Sequence, residues 1–449
     1  MRDLSEIVKA YDIRGVVGDE LDADVVRDVG GAFARFVGGP AVVVGHDMRD
    51  SSPWLVEAFT EGVVAQGVDV VHLGLASTDM LYFASGSLAL PGAMFTASHN
   101  PARYNGIKLC RAGASPVGQD SGLSEIKELV AHGVPEFLGE RGSVRQRDML
   151  TEYAAFLRDL VDLSGSRPLT VVVDAGNGMA GHTVPEVFSG VPVEVVPLYF
   201  ELDGSFPNHE ANPLDPANLV DLQAKVREVG ADAGVAFDGD ADRCFVVDAD
   251  GEPVSPSAIT ALVAVRELAK EPGATVIHNL ITSKAVPEIV AERGGKPVRT
   301  RVGHSFIKQT MASTGAIFGG EHSAHYYFRE FWRADSGMLA ALHVLAALGG
   351  QQEPLARLMT PYTRYASSGE VNSTVDDPAG RMKAVREFFA DRSGARVDDL
   401  DGLTVELADG AWFNLRPSNT EPLLRLNVEA GDAAAVDALR DEVLGVVRS

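Results

Sequence analysis

The segment GAMFTASHNPARYNGIK, residues 92–108, presents a serine in a loop that follows a predicted strand. Its apolar start predicts the strand, and Pro101 prevents a helix from following directly. Between them the loop carries Ser98, His99 and Asn100. A serine hydroxyl is a poor nucleophile unless it is activated or already carries a transferable group, and no G-x-S-x-G motif surrounds this one. The segment argues against a serine hydrolase, although TASHNP alone is typical of a plain turn.

The segment GVAFDGDADR, residues 234–243, places acidic side chains in a loop after a predicted buried strand. Its carboxylates occupy alternate positions, at Asp238, Asp240 and Asp242. Three clustered carboxylates repel each other unless a divalent cation joins them, so the pattern predicts a Mg²⁺ site. An exposed acidic turn is the alternative. An EF-hand loop is excluded, because Arg243 stands where that loop needs Gly and Ala249 where it needs Glu.

The segment RPSNTEP, residues 416–422, offers a cluster of anion donors near the end of the chain. The donors are Arg416, Ser418, Asn419 and Thr420, with Arg425 nearby. Hydroxyls, an amide, backbone N–H groups and a guanidinium fork together suit a phosphate. An Asn/Ser-rich turn would have the same composition, so this loop alone does not establish an anion site.

A fourth segment, GGEHSAHYYF at residues 319–328, combines Glu321, Ser323 and His325 in one loop. A carboxylate and a hydroxyl two residues apart suit the vicinal hydroxyl groups of a sugar. An ordinary polar turn would look the same, so the sugar-binding interpretation depends on the other segments.

Short β-rich runs alternate with helical stretches through most of the chain. Strand-like runs that continue into loops occupy residues 41–47, 170–178 and 274–280. The first follows the helix-like ADVVRDVGGAFARFV, and the second precedes TVPEVFSG. This alternation is typical of α/β structure and predicts three α/β units.

The last part of the chain has a different pattern. It predicts the strand EVNSTV, the helix AGRMKAVREFFA, the hairpin LTVELADGAWFNLR and the strand LLRLNVEA. A final helix follows, with apolar residues on one face at Val436, Leu439, Val443 and Val447. The pattern predicts a small α+β domain after the α/β units.

Length and composition limit the function classes. A chain of 449 residues is too long for one core and predicts three or four domains. The formal net charge of −24 argues against nucleic-acid and anionic-membrane partners, which need clustered Lys and Arg. No apolar run reaches the ~18 residues of a membrane span, and the start MRDLSEIVKA lacks the features of a secretory signal. With only two cysteines, the composition predicts a soluble, cytoplasmic protein.

Together with KAYDIRG at residues 9–15, these segments resemble the α-D-phosphohexomutase superfamily, and most closely its bacterial phosphomannomutase/phosphoglucomutase group. The motifs occur in the right order from residue 9 to residue 425. The resemblance implies three related α/β domains and a C-terminal α+β domain of the TATA-binding-protein-like type around one central cleft. The expected bounds are 1–145 for the phosphoserine domain, 146–250 for the metal-loop domain, 251–365 for the sugar-loop domain and 366–449 for the phosphate-clamp domain.

The resemblance also implies roles for individual residues. Ser98 is expected to be the phosphoserine and, through a phosphate oxygen, to share Mg²⁺ with the three aspartates. Further catalytic roles are expected for Arg14, Lys108, Arg243 and His304. Substrate contacts are expected from Tyr11, His99, Asn100, Glu321, Ser323, His325, Arg416, Ser418, Asn419, Thr420 and Arg425.

The general acid/base is the least determined of these roles. The segment HNLITSKA, residues 278–285, lacks a basic residue where some bacterial relatives carry a lysine in the cleft. His304, in the VGH motif, is the first candidate and His325 the second, because a histidine near its ordinary pKa exchanges protons at neutral pH. A lone histidine is as often structural.

The implied reaction converts hexose 6-phosphate and hexose 1-phosphate into each other through a hexose 1,6-bisphosphate, which also serves as activator. The GEHSAH form of the sugar loop favours mannose and glucose phosphates. The alternatives are a phosphoglucosamine mutase and a catalytically silent sugar-phosphate-binding relative. A dinucleotide site is a weak further possibility, because Gly176, Gly178 and Gly181 have G-x-G-x-x-G spacing after a strand. The oligomeric state is left open.

Overall fold

The computed structural model describes residues 4–417 and 423–449, whose strands form four separate sheets. Three of these sheets combine parallel and antiparallel strands, and the fourth is antiparallel throughout. Over the two described ranges, no helix has the length and apolar character that a membrane crossing needs.

The first sheet has seven strands, and its first helix begins where the sequence pattern predicts. The strands are β1 (Ile13–Val16), β2 (Ala41–His46), β3 (Asp69–Leu75), β4 (Gly92–Phe95), β5 (Tyr104–Arg111), β6 (Ser115–Pro116) and β7 (Val144–Gln146). The helices are α1 (Ala23–Val37), α2 (Ser52–Ala65), α3 (Thr78–Leu88) and α4 (Leu123–His132). Helix α1 begins after Asp22, whose side chain accepts a hydrogen bond from the Val25 amide and so satisfies a free N–H of the first turn.

The second and third sheets have five strands each. The second contains β8 (Leu169–Asp174), β9 (Val193–Leu198), β10 (Ala233–Phe237), β11 (Cys244–Val247) and β12 (Pro253–Val254), with helices α5 (Leu150–Leu160), α6 (Ala180–Val187) and α7 (Val220–Val229). The third contains β13 (Thr275–Asn279), β14 (Lys296–Thr300), β15 (Phe318–Gly320), β16 (Tyr326–Phe328) and β17 (Ala334–Asp335). Its helices are α8 (Pro256–Lys270), α9 (Ala285–Glu292), α10 (His304–Thr314), α11 (Gly337–Gly349) and α12 (Leu355–Met359).

These three sheets share one strand order. The shared orders are β3-β2-β4-β5-β1, β9-β8-β10-β11-β12 and β14-β13-β15-β16-β17, and the first sheet adds β7 beyond β3 and β6 beside β5. In each, the second strand runs parallel to the first and third, and the fourth is antiparallel to the third. The prediction of three related α/β units is therefore confirmed, and the turn between the third and fourth strands is an equivalent position in all three.

The last sheet belongs to a small α+β domain with a core of its own. Its strands are β18 (Ala366–Thr374), β19 (Arg396–Asp398), β20 (Leu403–Glu406), β21 (Trp412–Pro417) and β22 (Leu423–Ala430), and its helices are α13 (Pro378–Ala390) and α14 (Ala433–Val447). The four apolar residues predicted on one face of α14 are buried. This core is separate from the large one that runs through the other three units. The terminal domain is thus a separate packing unit.

A buried carboxylate joins the three α/β units where they meet. Asp79, in the first turn of α3, is fully buried. It accepts hydrogen bonds from Tyr153 of α5 and Ser336, the residue before α11, at 2.7 Å each, and from Ser77 at 2.5 Å. Burial raises the pKa of Asp79 from 3.8 to about 6, and the hydroxyl donors oppose this rise.

This junction predicts a pH-dependent stability. Because the pKa is higher in the folded state, the folded protein binds an extra proton between pH 3.8 and about 6, and stability falls as the pH rises through that window. Asp79→Asn keeps an acceptor oxygen and removes this titration. The rise in pKa corresponds to roughly 3 kcal/mol of unfolding free energy. The stability of the variant relative to wild type should therefore increase by up to about that amount as the pH is raised from acidic to neutral. Thermal melting of both proteins across this range measures the difference, and parallel curves would contradict the assignment.

Candidate active site

The serine loop and the acidic loop meet at equivalent turns of two different sheets. Ser98 lies between β4 and β5, and the acidic residues lie between β10 and β11. Ser98 Oγ donates a hydrogen bond to Asp238 Oδ2 at 2.7 Å, across 140 residues of sequence. The sugar-loop residues occupy the matching turn of the third sheet, between β15 and β16. One topology used three times therefore brings the three loops together, and Arg243 of the second forms a backbone bridge with His325 of the third.

Close backbone packing holds the two loops together. A side chain at Gly239 would place its Cβ 2.5 Å from the Ser98 carbonyl oxygen, so only glycine permits this approach. At Gly178, a Cβ would lie 2.7 Å from the Gly239 carbonyl oxygen. This contact gives Gly178 a packing role against the acidic loop, which accounts for part of the glycine spacing that resembles a dinucleotide-binding motif.

The three aspartates form a tight, buried cluster. Asp238, Asp240 and Asp242 each offer a carboxylate oxygen, and these atoms all lie within 4.8 Å of one another. Burial, followed by repulsion from Asp240, raises the pKa of Asp242 to about 7. Oδ1 of Asp240 and Oδ1 of Asp242 are buried and accept no hydrogen bond from the described residues. Clustered carboxylate oxygens with free lone pairs are the ligands that a hard divalent cation prefers, so these residues fit a metal ion.

Two cations share the cluster with the carboxylates. Lys108 Nζ lies 2.6 Å from both Asp240 Oδ2 and Asp242 Oδ2. Burial favours the neutral amine, but these two carboxylates raise the pKa of Lys108 well above its ordinary value. Arg243 Nε donates to Asp238 Oδ2 at 2.9 Å, the oxygen that also accepts from the serine. The site therefore places two positive charges against the carboxylate cluster that Ser98 contacts.

A buried arginine that sequence reasoning missed holds the serine loop in shape. Arg49 is 1% exposed and forms an ion pair with Asp47, with Nε 3.1 Å from Oδ2. Its guanidinium donates to the carbonyl oxygens of Ser98, Asn100, Pro101 and Tyr104 at 2.6–3.0 Å. Ser98 itself has φ of 49°, a left-handed conformation that needs such support in a residue with a side chain.

The serine loop also contacts the first motif of the chain. Arg14 donates to Asn100 Oδ1 and to Asp12 Oδ2, at 2.5 Å each. His99 is exposed, and its Nδ1 lies 3.2 Å from Ser98 Oγ. Arg14, His99 and Asn100 are thus brought to the serine.

The structure separates the two histidine candidates. His325 Nδ1 lies 3.0 Å from Asp335 Oδ2, and Lys308 forms an ion pair with the other oxygen of that carboxylate at 2.7 Å. Burial lowers the pKa of His325, but Asp242 and Asp335 outweigh it and raise the pKa above the ordinary value. The opposite holds for His304, where burial and the nearby Lys308 lower the pKa to about 3.

This contrast corrects one expectation from the sequence. His304 was expected to titrate near its ordinary pKa, and its surroundings keep it neutral instead. Its ring packs against Tyr11, with 4.5 Å between the ring centroids. His304 and Tyr11 therefore lie together, but only His325 retains an environment that stabilises the protonated ring.

The sugar-loop carboxylate is held by residues of the same domain. Glu321 is buried and accepts from the Tyr327 hydroxyl at 2.6 Å and from Asn279 Nδ2 at 3.1 Å. Ser323 Oγ donates more weakly to Glu321 Oε2, at 3.4 Å. The predicted pair of Glu321 and Ser323 is therefore adjacent in space, with the carboxylate fixed in orientation.

The anion donors of the terminal domain are described in part. Arg416 and Arg425 are opposite each other on β21 and β22. Both pair with Glu370 of β18, at 3.3 Å and 3.1 Å. Ser418, Asn419 and Thr420, which were also expected to bind phosphate, lie outside the described residues. Two adjacent guanidinium groups bridged by one carboxylate remain a suitable anion site.

Several supporting residues gave no motif in the sequence. Besides Arg49, these are Thr78, Lys308, Asp335 and Glu370. Thr78 donates to Asp240 through its hydroxyl at 2.6 Å, and its amide donates to the Asp240 carbonyl at 3.0 Å. The run HDMRD after β2, which contains Asp47 and Arg49, was the one visible signal, because charged residues at the end of a buried strand need partners.

Three sheets of one topology, a fourth antiparallel sheet and a serine facing an acidic triad define the phosphohexomutase class. The family models for phosphoglucomutase/phosphomannomutase α/β/α domains I, II and III match residues 5–134, 151–251 and 255–365. The model for the C-terminal domain of that family matches residues 370–446. The chain belongs to the phosphoglucomutase/phosphomannomutase family.

Relatives match over nearly the whole chain. A phosphomannomutase from Escherichia coli is 40% identical over 452 residues, which cover 98% of each chain. A phosphomannomutase/phosphoglucomutase from Pseudomonas aeruginosa is 36% identical, over 97% of this chain and 94% of that protein. The crystal structure of a phosphoglucomutase/phosphomannomutase family protein from Burkholderia thailandensis matches with a TM-score of 0.90 and 36% identity, over 100% of this chain and 98% of that one. The predicted superfamily and four-domain fold class are confirmed, whereas the exact domain bounds and the residue roles stay predictions.

The Arg49 contacts predict a large loss of stability in a variant that lacks the charge. Arg49→Met leaves Asp47 buried without its partner and frees four carbonyl groups, so the first domain should lose about 3–5 kcal/mol. Arg103→Met, which replaces an exposed arginine near the same loop, should stay within about 0.5 kcal/mol of wild type. Thermal or urea unfolding of both variants measures this, and equal stability of the two would contradict the role of Arg49.

Proposed function

We propose that this protein is a phosphomannomutase/phosphoglucomutase that interconverts hexose 6-phosphate and hexose 1-phosphate. Ser98 would carry the transferable phosphoryl group, and a hexose 1,6-bisphosphate would be both intermediate and activator. The observation that carries the proposal is the position of Ser98 Oγ, 2.7 Å from Asp238 in the acidic cluster that Lys108 and Arg243 flank. Membership of the phosphoglucomutase/phosphomannomutase family supports the same reaction.

The metal of this proposal is Mg²⁺, held by Asp238, Asp240 and Asp242 together with an oxygen of phosphorylated Ser98. When bound, it would neutralise the charge that develops on the phosphoryl oxygens. Lys108 and Arg243 carry fixed positive charge to the same place. Phosphoryl transfer passes through a loose, charge-rich transition state, so preorganised cations are the main catalytic contribution of these side chains.

In the first half-reaction, a sugar hydroxyl oxygen would form a bond to the phosphorus of phosphorylated Ser98 as the Oγ–P bond breaks. The hydroxyl proton would pass to His325, and Ser98 Oγ would leave as the alkoxide that Lys108 and Arg243 stabilise until it is protonated. We favour His325 over His304 because Asp335 holds Nδ1 and leaves Nε2 for the substrate. The neutral His304 and Tyr11 would line the cleft.

The second half-reaction requires the bisphosphate to turn end for end. Arg416 and Arg425, with Ser418 to Thr420, would clamp whichever phosphate is not being transferred. Glu321 and Ser323 would contact sugar hydroxyl groups in both orientations. Mannose and glucose differ only at O2, so contacts to other hydroxyl groups would accept both sugars.

Coupled assays with mannose 1-phosphate, glucose 1-phosphate and glucosamine 1-phosphate, each with a catalytic amount of hexose 1,6-bisphosphate, test the proposal. The first two should turn over with similar kcat/KM. The third should turn over poorly, an expectation that rests on the GEHSAH form of the sugar loop and not on the contacts away from O2. EDTA should abolish turnover and Mg²⁺ restore it. A preference for glucosamine 1-phosphate would assign the chain to the phosphoglucosamine mutases, and no turnover of any substrate would favour a silent sugar-phosphate-binding relative.

A further inference from the structure

The terminal domain contacts the third α/β unit through polar groups, among them an ion pair between Arg299 and Asp398 and a hydrogen bond from the Val302 amide to Asp401. Its hydrophobic core is separate from that of the other units, so polar contacts such as these hold it in position. Its strands β21 and β22 carry Arg416 and Arg425. This interface therefore determines where these two arginines, called the clamp arginines below, lie relative to the sugar loop.

A buried carboxylate also lies in this interface. Glu429 of β22 is 3% exposed. Its Oε1 accepts from Trp412 Nε1 of β21 at 2.8 Å, within the same sheet. The same oxygen accepts from the backbone amide of Lys284 at 3.1 Å, in the third α/β unit. Lys284 directly precedes α9, so Glu429 satisfies an amide at the start of a helix in another domain.

The Lys284 side chain forms a second contact across the interface. Its Nζ donates to the Gly410 carbonyl oxygen of the terminal domain at 2.5 Å. The same ammonium lies 4.3 Å from the ring centroid of Tyr365, in the connection between the two units. One residue of the third unit thus binds the terminal domain through both its backbone and its side chain.

The segment that Glu429 contacts leads directly to the sugar loop. Asn279, at the end of β13, donates to the Glu321 carboxylate at 3.1 Å and accepts from Thr282 at 2.7 Å. Residues 279–284 therefore bind Glu321 at one end and Glu429 at the other. Hydrogen bonds at the two ends of this six-residue segment therefore connect the sugar carboxylate with the strand that carries Arg425.

We propose that Glu429 is a positioning residue that sets the distance between the clamp arginines and the sugar loop, so that one hexose phosphate can engage both. This inference rests on the proposed mutase function. Without the carboxylate, the terminal domain would sample orientations in which only one of the two groups reaches the ligand. The apparent affinity would fall by the fraction of molecules in the competent orientation, while the chemistry at Ser98 would be unchanged.

Kinetics of Glu429→Ala separate positioning from a merely structural role. KM for glucose 1-phosphate should rise roughly ten- to a hundred-fold, as expected for the loss of one buried hydrogen bond to a charged group, with kcat within about twofold of wild type. Glu429→Gln keeps an acceptor oxygen and should show a smaller rise. Glu406→Ala removes a carboxylate from β20 of the same sheet, where it pairs with exposed Arg396, and should leave KM unchanged.

Two further measurements keep the test decisive. If Glu429→Ala does not fold, Lys284→Met removes the contact with Gly410 and should raise KM in the same way. Hydrogen exchange of peptides covering residues 279–287 should be faster in Glu429→Ala than in wild type, whether or not the protein turns over hexose phosphates. Unchanged KM, a loss of kcat alone or unchanged exchange would overturn the proposal. Absence of turnover in wild type would instead refute the mutase function. The hydrogen-exchange result alone would then test whether Glu429 fixes the position of the terminal domain.

Discussion

Repulsion among Asp238, Asp240 and Asp242 is the constraint on which the rest of the site depends. Buried carboxylate oxygens within 4.8 Å of one another are stable only where positive charge or donors surround them. The chain supplies Lys108 from β5, Arg243 from the same loop and Thr78 from the start of α3. The same charges that stabilise this cluster are those that a transferring phosphoryl group needs, so stability and chemistry share one arrangement.

The repeated topology explains how distant motifs reach that cluster. In each α/β unit, the turn between the third and fourth strands of the shared order points to the same cleft, and each turn carries a different group of functional residues. The serine, the carboxylates and the pair of Glu321 and Ser323 therefore lie at equivalent turns of the three units. The terminal domain has a core of its own, and under the proposed reaction it would be the part that adapts when the ligand turns around.

Much of the fold was predictable because its signals are local. Helix α1 coincides with the predicted amphipathic stretch, and the apolar face of α14 is buried as expected. Strand β19, with only three residues, was missed because it is too short to show a period. The motifs also singled out Ser98 and the three aspartates, which the structure brings together, while their roles stay predictions.

The remaining features of the site depend on contacts between distant residues. The ordinary pKa expected for His304 fails because Lys308 and burial, both set by the tertiary fold, lower it. Arg49 lies two residues after Asp47, but its hydrogen bonds to the serine loop span about fifty residues. Glu429 has no local signal at all, since its partner Lys284 lies 145 residues earlier.

The most direct test of the account follows the phosphoryl group itself. Protein labelled with ³²P at Ser98 is mixed with unlabelled glucose 1-phosphate and quenched at successive times within one turnover. The account predicts that label leaves Ser98 and appears in glucose 1,6-bisphosphate at a rate no slower than kcat, and that Ser98→Ala takes up no label and has no turnover. Label that stays on Ser98 during turnover, or near-wild-type turnover of Ser98→Ala, would contradict the central role of this serine.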